Sequence, residues 1–376
     1  MRMTAAVLYE LGLPTPYETS TPFVIEEVDL DGPGDGEVLV EIRAAGLCHS
    51  DLSIVAGLRQ RILPCVGGHE GAGIVREVGR GVMGLRNGDH VVMTVGAGCG
   101  HCRPCYDGRS ALCDESGAPR GQGLLPLGTR RLHRGGQPVF HFSGVSSFAQ
   151  YAVTGAEALV KIDPDIPFDV AAMFGCAVVT GVGAVFNTAK VRPSQSVAIF
   201  GLGGVGLNAV MAARLSGASQ IIGIDIKPDK FPLAHELGCT ATLDATAPDM
   251  VEQVRAMTDG GVDFAFDMTG VTSAVTAGIA MTRKAGEMIC VGLGSSSELT
   301  SYNHASLVLR ETVLRGSLMG GGVAARDIAD YLRLYQQGHL PVDRLRSETI
   351  GFGRLNESLD LLSRGAVLRQ ILLPHG

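Results

Sequence analysis

Four cysteines of this chain are crowded into one short stretch, whereas the remaining cysteines are scattered. They are Cys99, Cys102, Cys105 and Cys113. Thiolates at such short spacing let a single loop wrap one tetrahedral ion, and a closed set of four sulfurs is typical of structural zinc. An iron–sulfur cluster is the alternative that the spacing leaves open. The pattern therefore predicts a bound metal. Zinc is favoured, because a long segment without its own core needs a clamp.

A second group of possible metal ligands is spread along the chain. Its members lie in three segments, namely Cys48-His49-Ser50-Asp51, His69-Glu70 and Cys176. Each has an ordinary explanation when taken alone. A lone buried cysteine usually packs as a small apolar side chain, and a lone buried histidine usually makes hydrogen bonds in the core. Spacing alone therefore does not unite these residues into a site.

A glycine-rich motif indicates a dinucleotide site. It reads Gly201-Leu202-Gly203-Gly204-Val205-Gly206, after a predicted strand at 196–200 and before a predicted helix at 207–215. Such glycines allow a tight turn, a close approach of the backbone to a pyrophosphate, and packing of the helix on the strand. The helix N-terminus then attracts the phosphates. A glycine-rich buried helix without a ligand is the alternative, and the position of the next acidic residue argues against it.

That acidic residue is Asp225, at the end of the next predicted strand and about 20 residues after the last motif glycine. Its carboxylate can accept hydrogen bonds from both hydroxyls of an adenosine ribose. A 2′-phosphate would be repelled, and Ile226 supplies no compensating positive charge. The sequence therefore predicts NAD in preference to NADP.

Two patterns of predicted elements divide the chain. Residues 5–95 contain short strands separated by Gly, Pro and Asp clusters, which indicates a β-rich domain. After Pro167, strands alternate with helices, which predicts βαβ units and a parallel sheet. Residues 96–147 show little periodicity, and we expect a long lobe or loop there. The predicted fold class is α/β, with a Rossmann doubly wound parallel sheet beside the β-rich domain.

Charge and apolar patterning exclude several classes of partner. The net charge is −7, which gives no general attraction to nucleic acid or to an anionic membrane. A zinc-dependent nucleic-acid reader would need a basic recognition helix, and none follows the cysteine cluster. Six arginines of the lobe are interpreted as solvated surface charges, namely Arg103, Arg109, Arg120, Arg130, Arg131 and Arg134.

The N-terminal residues do not resemble a signal peptide. The most apolar stretch, 197–215, is interrupted by the glycines of the motif, so no membrane association is expected. Clustered cysteines without a secretory context point to metal or catalysis rather than to disulfides. We therefore expect a cytoplasmic protein.

The order and spacing of these motifs resemble the zinc-dependent alcohol dehydrogenases of the medium-chain dehydrogenase/reductase superfamily, over essentially the full length. The matching segments are Gly68-His69-Glu70-Gly71 with Gly73, the four-cysteine lobe, Cys176 before Thr180-Gly181, the glycine-rich motif, and 363–372 with Arg369. The resemblance implies a GroES-like catalytic domain at 1–177 and 320–376 and an NAD-binding Rossmann domain at 178–319. It also implies two zinc ions per chain, one catalytic and one structural, and a homodimer paired through sheet edges near 300–319.

The resemblance assigns roles to individual residues. Cys48, His69 and Cys176 would bind the catalytic zinc, with Glu70 as a nearby carboxylate able to visit the metal. Asp51 would orient His69, and Ser50 would take the proton of the substrate hydroxyl. Beyond the motif, Asp225 and Ile226, the implied cofactor contacts are His49, Thr180, Lys230, Val291, Met319 and Arg369.

The implied activity is transfer of a hydride between NAD and a small-molecule alcohol or aldehyde, and alternatives stay open. One is a formaldehyde dehydrogenase that depends on a thiol conjugate. Arg59 weakens that hypothesis, because the glutathione-dependent formaldehyde dehydrogenases of the family have acidic residues in the region around residue 59. Another is an inactive NAD-binding protein, which the intact zinc ligands argue against. Arg59 and Arg61 are interpreted as surface charges, and a position at the mouth of the substrate pocket is the alternative that stays open.

Ser53 stands where many members of the family have a histidine that completes a proton relay. Serine cannot act as a base at neutral pH, so we expect a relay through water or another group. The sequence leaves the substrate and the favoured direction undetermined.

Overall fold

A computed structural model describes residues 1–295 and 297–376, which form two compact units. The first unit comprises Met1–Ala177, Val323–Gln336 and Pro341–Gly376. The second comprises Val178–Gly322 and Gln337–Leu340.

The strands of both units, in chain order, are β1 (Arg2–Leu8), β2 (Phe23–Leu30), β3 (Glu37–Leu47), β4 (Cys65–Val66), β5 (Gly71–Val78), β6 (His90–Met93), β7 (Leu132–Arg134), β8 (Gln137–His141), β9 (Tyr151–Gly155), β10 (Leu159–Lys161), β11 (Ser196–Phe200), β12 (Gln220–Asp225), β13 (Ala241–Asp244), β14 (Val262–Asp267), β15 (Thr282–Cys290), β16 (Val313–Gly316), β17 (Arg346–Ile350) and β18 (Arg369–Leu372).

The α-helices are α1 (Tyr17–Ser20), α2 (His49–Val55), α3 (Arg103–Tyr106), α4 (Asp114–Gly121), α5 (Phe168–Ala171), α6 (Ala177–Gly183), α7 (Gly204–Leu215), α8 (Phe231–Leu237), α9 (Met250–Met257), α10 (Thr272–Met281), α11 (His304–Arg310), α12 (Ala324–Gln336) and α13 (Leu355–Ser363). A π-helical turn at Ala184–Ala189 extends α6, and short 3-10 turns connect several other elements.

The first unit is β-rich, as the sequence predicts. Five strands close into a barrel in the order β1-β2-β7-β8-β4. A seven-stranded sheet runs β10-β6-β5-β3-β18-β17, with β9 also paired to β3. The central strand β3 is buried along nearly its whole length, because β-branched and aliphatic residues occupy both of its faces.

The second unit is a doubly wound α/β domain. Its six strands lie in the order β13-β12-β11-β14-β15-β16, and every neighbouring pair is parallel. All five residues of β11 are buried, as expected of a central strand covered by helices on both faces. The strand order reverses beside β11, which is the position where such folds bind dinucleotides. The Rossmann prediction is confirmed.

The lobe at 96–147 contains more regular structure than the sequence suggests. It holds α3 and α4, and its β7 and β8 form a hairpin in the barrel around Gly135 and Gly136, both with positive φ. Strands of three and five residues are too short to show a clear alternation of apolar residues. The prediction of a long lobe or loop therefore does not include the regular structure of this part.

Among the described residues, no single helix has the length and apolar character needed to cross a bilayer. One bent pair of segments, Phe168–Gly175 with Ala177–Ala189, reaches that length and composition when taken together.

Candidate functional site

The large sheet of the first unit brings the scattered cysteine and histidine residues together. Strand β3 ends at Leu47, so that Cys48 caps the N-terminus of α2. His69 and Glu70 lie in the turn before β5, and β5 pairs with β3 in an antiparallel register. The end of β3 and the start of β5 are therefore adjacent, and the two ligand-bearing segments meet at this edge.

Cys176 reaches the same place from another direction. It follows the 3-10 turn Ala172–Gly175, whose last carbonyl accepts a hydrogen bond from Thr94 Oγ1 at 2.9 Å. Thr94 comes directly after β6, which pairs with β5. A Cβ at Gly175 would lie 2.2 Å from the Met93 carbonyl oxygen, so only glycine allows this close approach. Tertiary packing rather than sequence spacing thus fixes the position of Cys176.

The four side chains form one compact cluster, which we call the catalytic cluster: Cys48, His69, Glu70 and Cys176. One ligand atom from each lies within 4.8 Å of every other, and all four residues are buried. His69 Nε2 is buried and has no hydrogen-bond partner among the described residues. A buried nitrogen without a partner is costly, so its position beside two thiols indicates a missing ligand.

Asp51 orients two members of the cluster. Its Oδ1 lies 2.8 Å from His69 Nδ1, and its Oδ2 accepts a hydrogen bond from the Cys48 backbone N–H at 3.0 Å. Asp51 is completely buried. Because a carboxylate on Nδ1 fixes the tautomer of the imidazole, the lone pair of Nε2 is left for a metal.

A buried ion pair, which sequence reasoning missed, adjoins the cluster. Arg369 Nη2 donates to Glu70 Oε1 at 2.5 Å, and Arg369 Nη1 donates to the Leu47 carbonyl at 3.2 Å. A Cβ at Gly46 would lie 2.2 Å from Glu70 Oε2, so this glycine makes room for the carboxylate. A glycine inside a long strand often marks such a close approach, so Gly46 is the feature of the sequence that could have predicted it. The structure thus places the Arg369 guanidinium on Glu70, and its predicted contact with a cofactor phosphate stays a prediction.

Burial and neighbouring groups shift the pKa values of the cluster. A hydrogen bond from Cys176 lowers the pKa of Cys48, with further help from the charge of Arg369. That same hydrogen bond, together with burial, raises the pKa of Cys176. Burial raises the pKa of Glu70 to about 7, although Arg369 opposes the shift. Burial opposes protonation of His69, but Asp51 outweighs it and raises the pKa of that imidazole.

The donor set fits zinc. Two thiolates and one imidazole are ligands that zinc prefers, and three protein ligands are typical of catalytic rather than structural sites. The orphaned Nε2 of His69 is the observation of this structure that supports the assignment. Cys48, His69 and Cys176 would hold the ion, with Glu70 beside them.

The four cysteines of the lobe form a second, contiguous cluster, here called the lobe cluster. The sulfurs of Cys99, Cys102, Cys105 and Cys113 all lie within 4.8 Å of one another. Backbone N–H groups of Cys99 and Ser116 donate to Cys113 Sγ at 3.2 and 3.5 Å. Short helices and turns thus wrap the chain around the sulfurs. Four converging sulfurs fit a closed structural zinc site.

The lobe cluster is more exposed than the catalytic cluster, and its sulfurs are not equivalent. Burial raises the pKa of Cys105 to about 12. Burial also acts to raise the pKa of Cys113, but hydrogen bonds from Ser116 and Cys99 outweigh it and lower that pKa to about 6. A Cβ at Gly98 would lie 2.5 Å from Cys105 Sγ, so this glycine also makes room for a sulfur.

The glycine-rich motif has the geometry of a dinucleotide site. Gly201 has φ +88°, which allows the turn after β11. No heavy atom lies within 4 Å of a Cβ built on Gly203, so its backbone is open to a ligand. A Cβ on residue 206 would lie 1.8 Å from the Gly201 carbonyl oxygen. Only glycine at this position therefore lets α7 pack this closely against the turn after β11. Leu202, Gly204 and Val205 complete the connection into α7. The fold of this segment therefore fits a pyrophosphate.

Asp225 lies beside this motif, at the end of β12. Its carboxylate accepts hydrogen bonds from the Leu202 and Lys227 backbone N–H groups at 2.7 and 2.9 Å. Lys230 Nζ approaches the same carboxylate at 3.0 Å. Ile226, the next residue, is exposed. Asp225 is thus held rigidly at the edge of the motif, with Lys230 next to it.

The remaining residues predicted to contact the cofactor or to relay a proton differ in how deeply they are buried. Thr180 Oγ1 lies 3.6 Å from Met319 Sδ, and both residues are buried. Val291 is buried directly after β15. His49 and Ser50 begin α2 next to Cys48, with His49 exposed and Ser50 half-buried. Ser53 Oγ donates to the His49 carbonyl at 2.8 Å, which is a bond within the helix rather than a relay.

The interpretation of the lobe arginines as solvated surface is wrong for two of them. Arg131 Nε donates to the buried Glu37 at 2.7 Å. Arg120 is half-buried and donates to the Val95 carbonyl and to the Ser116 carbonyl. Both guanidinium groups hold the lobe to the strands beneath it, a role that a charge pattern alone does not reveal.

Comparisons with known proteins match both units. Residues 34–164 match the alcohol dehydrogenase GroES-like domain family, and residues 204–337 match the zinc-binding dehydrogenase family. The S-(hydroxymethyl)glutathione dehydrogenase of Paracoccus denitrificans is 36% identical over 383 residues, covering 99% of this chain and 100% of that protein. The enzyme of that name from Saccharomyces cerevisiae is 36% identical over 364 residues, covering 95% of this chain and 94% of that protein.

Solved structures agree with these matches. The benzyl alcohol dehydrogenase of Acinetobacter calcoaceticus superposes with a TM-score of 0.92 at 33% identity and covers 99% of both chains. An alcohol dehydrogenase zinc-binding domain protein of Burkholderia ambifaria has a TM-score of 0.93 at 38% identity and covers 100% of both chains. The chain therefore belongs to the zinc-dependent alcohol dehydrogenases of the medium-chain dehydrogenase/reductase superfamily, and it is an oxidoreductase that transfers a hydride between an alcohol and a nicotinamide dinucleotide.

Proposed function

We propose that this enzyme oxidises an alcohol to an aldehyde or ketone, with reduction of NAD, at a metal centre held by Cys48, His69 and Cys176. The observation that carries the proposal is the buried Nε2 of His69, which has no partner among the described residues and lies beside two thiols. Zinc at this position supplies a Lewis acid that polarises the substrate oxygen. In this proposal the first unit, at 1–177 and 320–376, is the catalytic domain, and 178–319 binds NAD.

The side chains around the centre have separate tasks. Asp51 holds His69 by Nδ1 and the backbone of Cys48 by its second oxygen, so the two ligands keep a fixed geometry. Ser50, two residues after Cys48, accepts a hydrogen bond from the substrate hydroxyl. It takes up that proton as its own hydroxyl proton passes to water, so it relays the proton without acting as a free base. Ser53 is not part of the route, because its hydroxyl is bonded to the His49 carbonyl.

The experiment that tests this function measures NADH absorbance. The zinc-loaded protein is given NAD and a panel of primary, secondary and aromatic alcohols, and also formaldehyde with glutathione. We expect NADH formation from at least one alcohol. A protein that carries two zinc ions per chain yet forms no NADH with any substrate would instead be an inactive NAD-binding protein.

The thiol-dependent formaldehyde reaction is a second candidate. Two curated relatives at 36% identity bear the name S-(hydroxymethyl)glutathione dehydrogenase, and they cover nearly the whole chain. If formaldehyde is oxidised only in the presence of glutathione, this candidate replaces oxidation of simple alcohols. Activity toward alcohols without any thiol supports the first candidate.

We further propose that Asp225 selects NAD. Its carboxylate is fixed by two backbone N–H groups, so it cannot swing away from a 2′-phosphate. The exposed Ile226 offers no positive charge to such a phosphate. We expect a preference for NAD of at least about tenfold in kcat/KM, which Asp225→Ser reduces. Equal use of both cofactors by the wild-type enzyme would contradict this role.

A homodimer and a cytoplasmic location complete the proposal. Strand β16 is an edge strand whose four residues are all exposed. Val308 and Leu309 of the preceding α11 are also exposed, and an exposed apolar edge favours pairing with a second copy. Sedimentation should give the mass of a dimer. No cysteine of the described residues forms a disulfide, which suits a reducing compartment, and cell fractionation can check the location.

A further inference from the structure

Arg61 is a partly buried cation beside the catalytic cluster, and the interpretation of this residue as a surface charge is wrong. Its Nε is buried and has no hydrogen-bond partner among the described residues. Its Nη1 donates to the carbonyl of the adjacent Gln60 at 2.9 Å. In the part of the chain that the structure describes, no carboxylate lies within ion-pair distance of this guanidinium. Arg131 and Arg369, by contrast, each bind a buried carboxylate.

The position of Arg61 links it to the metal ligands. Its guanidinium carbon lies 5.5 Å from the centre of the Phe142 ring. The Phe142 ring in turn lies 6.1 Å from the His69 ring, centre to centre. Arg61 and a proposed zinc ligand therefore contact the same aromatic side chain.

The surroundings compensate the positive charge only in part. Burial and the nearby charge of Arg59 both lower the pKa of Arg61, and attraction from Cys65 and Asp51 does not offset them. Stacking on Phe142 provides a cation–π contact but satisfies none of the N–H groups. An incompletely satisfied buried cation is costly, and a guanidinium fork matches the two oxygens of a carboxylate. The missing partner is therefore an anion of that shape.

We propose that Arg61 binds a carboxylate of the substrate, so that the preferred substrates are alcohols or aldehydes that carry an anionic group. This inference rests on the proposed function, because it assigns the substrate class of the same site. Two sources share this chemistry: a simple hydroxy acid, and the adduct of formaldehyde with a carboxylate-bearing thiol. Leu58 and Ile62, exposed on the same loop, provide apolar surface for the carbon skeleton between the two polar ends.

The test compares substrates that differ only in charge. The first pair is 4-(hydroxymethyl)benzoate and 4-(hydroxymethyl)benzamide, and the second is 6-hydroxyhexanoate and 6-hydroxyhexanamide. Formaldehyde with glutathione is compared with formaldehyde and the neutral thiol N-acetylcysteamine, which separates the two sources. We measure kcat/KM for each, and we also measure calorimetric binding of each acid and amide to the zinc-loaded protein.

We expect the wild-type enzyme to prefer the acid in at least one pair. Arg61→Met keeps the stacking on Phe142 but removes the charge, and it should reduce that preference by about 10- to 100-fold in both readouts. Arg61→Lys should retain part of the preference, because the charge remains without the planar fork. Arg80→Met is the matched control, since Arg80 is exposed and paired with Asp35, and it should leave the preference unchanged.

Two results would overturn the proposal. In one, the wild-type enzyme shows no preference for the acid in any pair. In the other, Arg61→Met lowers kcat/KM and binding affinity equally for the acid and the amide, as expected if Arg61 only supports the fold. If no substrate is turned over, the proposed function fails, whereas the calorimetric comparison of acid and amide still decides the role of Arg61.

Discussion

The catalytic cluster and the lobe cluster reach similar donor sets by opposite routes. The lobe cluster takes its four sulfurs from one segment, Cys99 to Cys113, and short turns with N–H···S hydrogen bonds converge on them. The catalytic cluster takes its ligands from the end of β3, the turn before β5 and the 3-10 turn after α5. Pairing of β3 with β5 and packing of the 3-10 turn bring these together.

The two clusters should therefore have different roles, one in stability and the other in activity. The sulfurs of the lobe cluster complete a tetrahedral set, so a metal there serves to fold the lobe. The catalytic cluster offers two sulfurs and one nitrogen on a scaffold that is already rigid, with Asp51 behind His69. Loss of a ligand should therefore affect mainly activity in the catalytic cluster and mainly stability in the lobe cluster.

The largest expected effect is on activity, from Cys176→Ser. Removing one of three ligands loosens the metal, and a Lewis acid contributes several kcal/mol to such reactions, so kcat/KM should fall by on the order of 10³-fold. Metal analysis should show loss of one zinc ion per chain and retention of the other. Unchanged activity, or loss of both ions, would break the proposed separation of the clusters.

The corresponding substitution in the lobe cluster is Cys105→Ser. It should reduce the stability of the protein more than its enzymatic activity. Loss of a structural metal ranks among the large effects of single substitutions, about 4 kcal/mol in the free energy of unfolding. Denaturant unfolding measures this loss, and limited proteolysis should show cleavage within 96–130. The activity of the protein that remains folded should stay within a few-fold of wild type, and a loss comparable with that of Cys176→Ser would contradict the comparison.

Asp51→Asn sharpens the comparison inside the catalytic cluster. The amide can still occupy the buried site, but it no longer provides a carboxylate for His69 Nδ1. Loss of such an outer partner typically costs about 10- to 100-fold in metal affinity or activity. Zinc affinity and kcat are the measurements, with Asp107→Asn in the exposed lobe surface as the control. An effect no larger than that of the control would remove Asp51 from the proposed mechanism.

The smallest expected effects come from a matched pair of glycines. Gly46→Ala would push a methyl group toward Glu70 Oε2, and Gly98→Ala would push one toward Cys105 Sγ. Overpacking of this kind costs about 1–3 kcal/mol. Thermal unfolding should show a loss of stability in both variants, with reduced activity per folded molecule in Gly46→Ala alone. Equal activity losses in the two variants would show that the clusters are not independent.

The sequence predicts contiguous features well and convergent ones poorly. The lobe cysteines, the glycine-rich motif and the strands around it are visible because their residues are neighbours in the chain or repeat with a regular period. Cys48, His69 and Cys176 become a group only through a family resemblance, since nothing in their spacing shows that β3 and β5 lie side by side. The same holds for Arg369, which reaches Glu70 because β18 pairs with β3.

Burial of charged residues is the other feature that sequence reasoning misjudges. Arg61, Arg120 and Arg131 look like solvated charges in a polar stretch, yet each has at least part of its guanidinium in the interior. Long side chains can return from a surface loop to the core, and their direction depends on tertiary contacts. The short strands β7 and β8 are missed for a different reason, because three and five residues are too few to show an alternation of apolar residues.

Anomalous X-ray scattering at the zinc edge, measured on crystals of the full chain, tests the central claim most directly. We expect two peaks per chain. One should lie about 2.3 Å from the sulfurs of Cys48 and Cys176 and about 2.1 Å from His69 Nε2, and the other among the four sulfurs of the lobe. A single peak in the lobe, with none beside His69 in a protein that is active, would contradict the assignment of the catalytic centre.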